Sequence, residues 1–100
     1  MTKYIPLLAI GEILKEEFID PMDISAYRLA KDINVPVSGI QDIIMGRRKI
    51  TADTSLRLAR YFCVSDKYFL NIQNDIEVRE LKTQMADDID RIKPYASAAV

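Results

Sequence analysis

The segment Ala26–Met45 reads AYRLAKDINVPVSGIQDIIM, and its order of small, turn-forming and apolar residues decides the fold. Ala30 is a small residue on the first of two helical stretches, Asn34 follows four residues later, and Ile40 and Ile43 are apolar on the second. Helices that cross steeply leave no room for a large side chain at the crossing, which suits Ala30. The sharp turn between them needs a residue that tolerates the left-handed region, and Asn does so better than any residue except Gly. This spacing predicts a helix-turn-helix pair, whose second helix enters the major groove of DNA.

The chain around it has 100 residues, 49% of them apolar and 29% charged, which bounds it to a single globular domain. A domain of this size is marginal alone, and dimerisation would add buried surface. No apolar run approaches the roughly 18 residues of a membrane span. The start, MTKYIPLLAI, lacks the long apolar core and small-residue cleavage site of a leader, so the expectation is a cytoplasmic protein with no membrane partner. One cysteine cannot form an internal disulfide, and the absence of histidine removes the usual metal sites and histidine-based proton transfer. The reading is therefore not an enzyme, with no cofactor, no metal and no small-molecule substrate.

A net charge of −1 argues against a nucleic-acid partner only until it is divided along the chain. Residues 1–24 carry two Lys/Arg against five Asp/Glu, residues 25–70 eight against four, and residues 71–100 four against six. The positive charge is thus concentrated in the helix-turn-helix half, and it is the local field that a phosphate backbone meets.

Residues 1–8 show no period and read as an extended arm. Ile10, Ile13, Leu14 and Phe18 recur at helical spacing, and Asp20-Pro21 ends that helix. Ser25 caps a second helix to about Ile33, with Leu29 and Ile33 inward. Pro36 opens a third that runs to Met45 before Gly46. Thr51 caps a fourth, with Leu56, Leu58, Ala59 and Phe62 as buried candidates, and Ser65 caps a fifth over DKYFLNIQ. Val78, Leu81, Met85, Ile89 and Ile92 step by three and four, predicting a last amphipathic helix ended by Pro94. The organisation expected is an arm (1–8), a helix-turn-helix domain (9–74), a C-terminal helix (75–93) and a loose tail (94–100), all-α with five or six helices.

The blocks GEILKEEFIDPMDISAYRLAKDINVP, GRRKITADTSLRLARYF and FLNIQ, in this order, resemble HigA-type antitoxins of bacterial toxin–antitoxin modules, a branch of the phage-repressor-like helix-turn-helix proteins. The likeness covers roughly residues 8–74. It implies a homodimer that binds operator DNA in its own promoter and neutralises a co-encoded HigB-type toxin, an mRNA-cleaving ribonuclease. Three departures stand out: Ala9-Ile10 stands where the family usually has His-Pro, Gly39 replaces a long polar residue common in the family, and Cys63 stands where a glycine commonly follows the Tyr-Phe pair. If that position needs a left-handed backbone, Cys63 is strained.

On the second helix of the motif the groove-facing set is Val37, Ser38 and Gln41, with Asp42 and Met45 beside it. Gln41 can donate to and accept from an adenine edge, Ser38 can bond a base or a phosphate, and Val37 can touch a thymine methyl. Arg47, Arg48 and Lys49 follow directly, where cations would lie along the DNA backbone, and Arg28 and Lys31 sit on the helix that crosses it. Arg57 and Arg60 are read as carboxylate partners or core cover, and Cys63 as a small buried apolar residue. The family likeness assigns Tyr68, Phe69, Ile72 and Gln73 to the dimer interface. Glu12, Glu16, Glu17 and Asp20 share a face of the first helix, an acidic surface for a basic toxin. Two other functions remain open: a free-standing repressor without a toxin, and an interaction module that no longer binds DNA.

Overall fold

The computed structural model describes residues 6–95. Among them every regular element is a helix: α1 (Pro6–Ile13) continuing into a wider π-helical stretch (Leu14–Ile19), α2 (Ala26–Ile33), α3 (Val37–Ile44), α4 (Ala52–Phe62), α5 (Tyr68–Gln84) and α6 (Ala86–Asp90). The all-α expectation holds. The expected arm is corrected in part, since residues 6–8 are already helical with Pro6 at the first helical position, where its missing N–H costs nothing. Residues 1–5 and 96–100, the rest of that arm and most of the expected tail, lie outside the described residues.

The first helix also ends differently from an ideal helical count. The Asp20 N–H donates to the Lys15 carbonyl at 2.8 Å, five residues back, so one extra residue is taken into the turn. That widening swings Ile19 into the core beside Ile10 and Leu14 and leaves Ile13 and Phe18 half-buried. Phe18 then meets Phe62, Phe69 and Tyr68, with ring centroids 4.9, 5.1 and 5.9 Å away.

Four helical stretches stop by one device, the first of them at Asp23, whose φ is 55° and after which the Ile24 N–H reaches back to the Ile19 carbonyl. Asn34, Gly46 and Cys63 all have left-handed backbones, with φ of 62°, 79° and 60°. After each, the next N–H reaches back five residues, Val35 to Ala30, Arg47 to Asp42 and Val64 to Ala59, and satisfies a carbonyl of the last turn. The starts match the expected caps at Ser25 and Thr51, whose hydroxyls accept from the Arg28 and Thr54 N–H groups. Ser65 is a correction: the Tyr68 N–H bonds its backbone carbonyl, and no side chain caps α5.

Nothing between Tyr68 and Gln84 can break a helix, because the stretch has neither glycine nor proline. The expected fifth helix and the front of the expected C-terminal helix are therefore one element, and a boundary at 74/75 falls inside α5. Leu56 is likewise a correction, since it is exposed while Ser55, Leu58 and Ala59 face inward. Two residues from Leu58 on a helix lies nearly the opposite side.

Two polar side chains are buried in this core, and both are satisfied. The Ser55 hydroxyl donates to the Asp66 carbonyl at 2.7 Å. The Gln73 amide accepts from the Ile50 N–H at 2.8 Å and donates to the Ile50 carbonyl at 2.9 Å, so that α5 closes off a loop backbone that water cannot reach.

Cys63 is exposed, which corrects its expected burial, and its left-handed backbone carries the strain its position foretold. Replacing it costs no packing. Cys63→Gly should stabilise the fold by about 1 kcal/mol, the left-handed penalty less the extra chain entropy that glycine loses. Urea denaturation checks this: a raised midpoint with unchanged slope is expected, and a midpoint equal to or below that of the parent would show the turn to be unstrained.

Candidate nucleic-acid interface

α3 is fixed from behind before it offers anything in front. Ile40 and Ile43 are buried, Val37 and Ile44 are half-buried against the same core, and Ala30 is buried on the helix that α3 packs beside. Gly11 on α1 lies so close to the α3 end that a Cβ there would collide with the carbonyl oxygens of Ile43 and Ile44. No larger residue fits, and α1 thereby seats the last turn of α3.

The opposite side of α3 carries Ser38, Gln41 and Met45, all exposed and spaced by three and four. Of the expected base-reading set, Ser38 and Gln41 stand clear of the core, while Val37 gives part of its surface to it. Gly39 adds no side chain to this face, and a Cβ built there meets nothing within 4 Å. It borders an open depression of about 240 Å³ between α3 and α4, which Arg48 and Thr54 also line.

The basic loop folds back on α3. The left-handed Gly46 directs the Arg47 N–H to the Asp42 carbonyl at 2.8 Å, which brings both arginines to the Asp42 carboxylate. Arg47 meets it at 3.1 Å and Arg48 at 3.4 Å. Lys49 turns toward α5 and pairs with Glu77 at 3.4 Å. The structure thus places Arg47 and Arg48 together beside the Ser38–Gln41 face and draws Lys49 away from them.

On α2, Lys31 is exposed and Arg28 pairs with Asp32 at 2.7 Å. The Tyr61 hydroxyl donates to the same carboxylate at 2.6 Å, which ties α2 to α4. That hydrogen bond, and then the one from Arg28, hold Asp32 below the ordinary carboxylate value, while the bond to Asp32 raises Tyr61. Arg57 does more than pair with Asp53 at 3.0 Å: its guanidinium donates to the Ile33 carbonyl at 2.8 Å and so caps the end of α2. An arginine 24 residues from that carbonyl gives no signal in sequence.

Two of the four expected dimer residues are not brought to a surface. Phe69 is 0% exposed and Gln73 2%, so neither has area to bury against a second subunit, while Tyr68 and Ile72 are half-buried against the core. A run of exposed apolar residues lies further along, at Val78, Leu81, Met85, Ile89 and Ile92, while Met22, Tyr27, Met45 and Leu56 are exposed elsewhere. Glu12, Glu16 and Glu17 are exposed as expected, and Asp20 is held by Lys15 at 2.9 Å.

A helix-turn-helix family model matches residues 14–69. The chain belongs to the helix-turn-helix family. Virulence-associated protein I of Dichelobacter nodosus is 40% identical over 94 residues, covering 94% of this chain and 86% of that protein. Pseudomonas aeruginosa antitoxin HigA, solved with the higBA promoter, has a TM-score of 0.78 at 33% identity over 86% of this chain and 95% of that chain. A HigA-family addiction-module antidote protein from Coxiella burnetii has a TM-score of 0.78 at 34% identity, over 95% of this chain and all of its own 100%. The HigA-type likeness read from the three blocks is thereby shown. No described helix is long and apolar enough to cross a membrane.

The Asp32 tie makes stability depend on pH in a defined way. A depressed carboxylate stabilises the fold above its unfolded value and loses that contribution as pH falls through the folded one; a raised tyrosine stabilises below its unfolded value and loses it as pH rises. Tyr61→Phe should therefore lower the denaturation midpoint across the neutral range, with the difference from the parent fading below about pH 4 and above about pH 10. A difference independent of pH would mean that Tyr61 acts by packing alone.

Proposed function

We propose that this protein is an antitoxin-type repressor, a dimer that binds operator DNA in its own promoter through α3 and neutralises a co-encoded HigB-type toxin. The observation that carries the DNA reading is the exposed face of Ser38, Gln41 and Met45, continuous with Arg47 and Arg48 on a helix seated rigidly by α1 and α2. Gln41 and Ser38 have the chemistry to read base edges, and Arg28, Lys31, Arg47 and Arg48 the charge to meet phosphates. The promoter complex of the Pseudomonas relative supports the same use of the fold.

Dimerisation is assigned to the stripe Val78, Leu81, Met85, Ile89 and Ile92, since these are large apolar residues left exposed along α5, α6 and the residues that join and follow them. Two copies of one stripe would bury each other about a twofold axis. That axis would present two α3 helices to half-sites roughly 34–36 Å apart. The toxin surface is assigned to Glu12, Glu16 and Glu17, whose charge would speed the encounter with a basic ribonuclease.

Gel-shift titration on the DNA upstream of its own gene, beside a scrambled duplex, tests the core of this reading. Gln41→Ala should weaken operator binding by roughly 1–3 kcal/mol and leave scrambled DNA nearly unchanged. Arg47→Ala with Arg48→Ala should weaken both and flatten the salt dependence. Equal losses for Gln41→Ala on the two duplexes would move Gln41 to the backbone contacts, and no effect of either variant would leave the interaction-module reading. Co-purification with the product of the adjacent gene separates an antitoxin from a free-standing repressor.

A further inference from the structure

Asp42 is an acidic residue on the surface that the preceding reading turns toward a polyanion, one position after Gln41. Its carboxylate is not idle there. One oxygen takes the Nε and Nη2 groups of Arg47, each at 3.1 Å, and the other takes Arg48 Nη2 at 3.4 Å. The contact is built by the backbone, because the left-handed Gly46 closes the Arg47 N–H onto the Asp42 carbonyl. The arginines stay 61% and 58% exposed, and the carboxylate itself 28%, so a phosphate can reach the same guanidinium groups.

We propose that Asp42 is a built-in counter-ion that competes with DNA phosphate for Arg47 and Arg48 and holds affinity down on every sequence. This rests on the DNA-binding reading and deepens it. A phosphate approaching either arginine must displace or share a carboxylate already bonded to it, and the remaining negative charge repels the backbone. Two cations and one anion deliver one net positive charge to the DNA; without the anion they deliver two. The carboxylate holds both arginines on one side of the loop, yet it contributes no attraction of its own to a duplex.

The test is fluorescence anisotropy of the full chain and of Asp42→Asn, on labelled promoter DNA of its own gene and on a scrambled duplex of equal length. Asparagine keeps the shape and removes the charge. Asp42→Asn should bind both duplexes about tenfold more tightly at low salt, as expected for one charge removed a few ångströms from phosphate. Its log–log salt slope should steepen by about one, in line with one more phosphate neutralised. The gap between the two proteins should close at about 0.5 M salt, where screening falls to a few ångströms. That closure also separates the charge effect from any loss of fold, which salt would not restore. Weaker binding to both duplexes would overturn the inference and make Asp42 a positioning residue for the arginines. Weaker binding to the promoter alone would make it a base reader, and unchanged binding would remove it from the interface. If the parent chain binds neither duplex, the DNA reading itself fails.

Discussion

The fold depends on one close approach of two backbones. α1 can lie across the end of α3 only because residue 11 has no side chain, since a Cβ there would meet the carbonyl oxygens of Ile43 and Ile44. Ala30 serves the same end from α2, where a small buried residue lets the two helices of the motif pack closely. α3 is thus trapped between two neighbours with little freedom to tilt. A helix that reads bases by hydrogen bonds needs that rigidity, because a shift of an ångström breaks the geometry on which discrimination rests.

The path of the chain around α3 follows from three of its left-handed stops. Asn34 turns the chain from α2 into α3, Gly46 folds the basic loop back onto Asp42, and Cys63 turns α4 toward α5. Asn and Gly suit this backbone, whereas Cys63 does not, and its exposure shows that no packing rewards it. The second turn is where architecture becomes electrostatics, since the hydrogen bond that closes it also places Arg47 beside an acidic residue.

Sequence showed what local chemistry and periodicity encode. The small residue at Ala30, the turn at Asn34, the caps at Ser25 and Thr51 and the exposed pair Ser38 and Gln41 are all local features of that kind. It did not show what depends on a count slipping or on distant parts meeting. The wide turn at Leu14–Ile19 brings Ile19 inward, where a regular helix would not. Gln73 looks polar and exposable in sequence, yet its partner Ile50 is 23 residues away. Arg57 capping α2 and Asp42 gathering two arginines have the same origin, for their spacings match no helical pair. Two of the four dimer residues implied by the family likeness are spoken for within the subunit for a related reason. Phe69 and Gln73 are needed inside the subunit, and a run of exposed apolar residues follows later, between Val78 and Ile92.

On the proposed function, the face of α3 bearing Ser38 and Gln41, with the arginine loop beside it, is where this protein meets DNA. Amide chemical-shift mapping by nuclear magnetic resonance, during titration with a duplex from its own promoter, tests this most directly. The largest changes are expected in Val37–Met45 and at Arg47 and Arg48, with little at Glu12, Glu16 and Glu17 or at Val78–Ile92. Changes centred on the acidic first helix or the C-terminal stripe, with Ser38 and Gln41 unmoved, would contradict it.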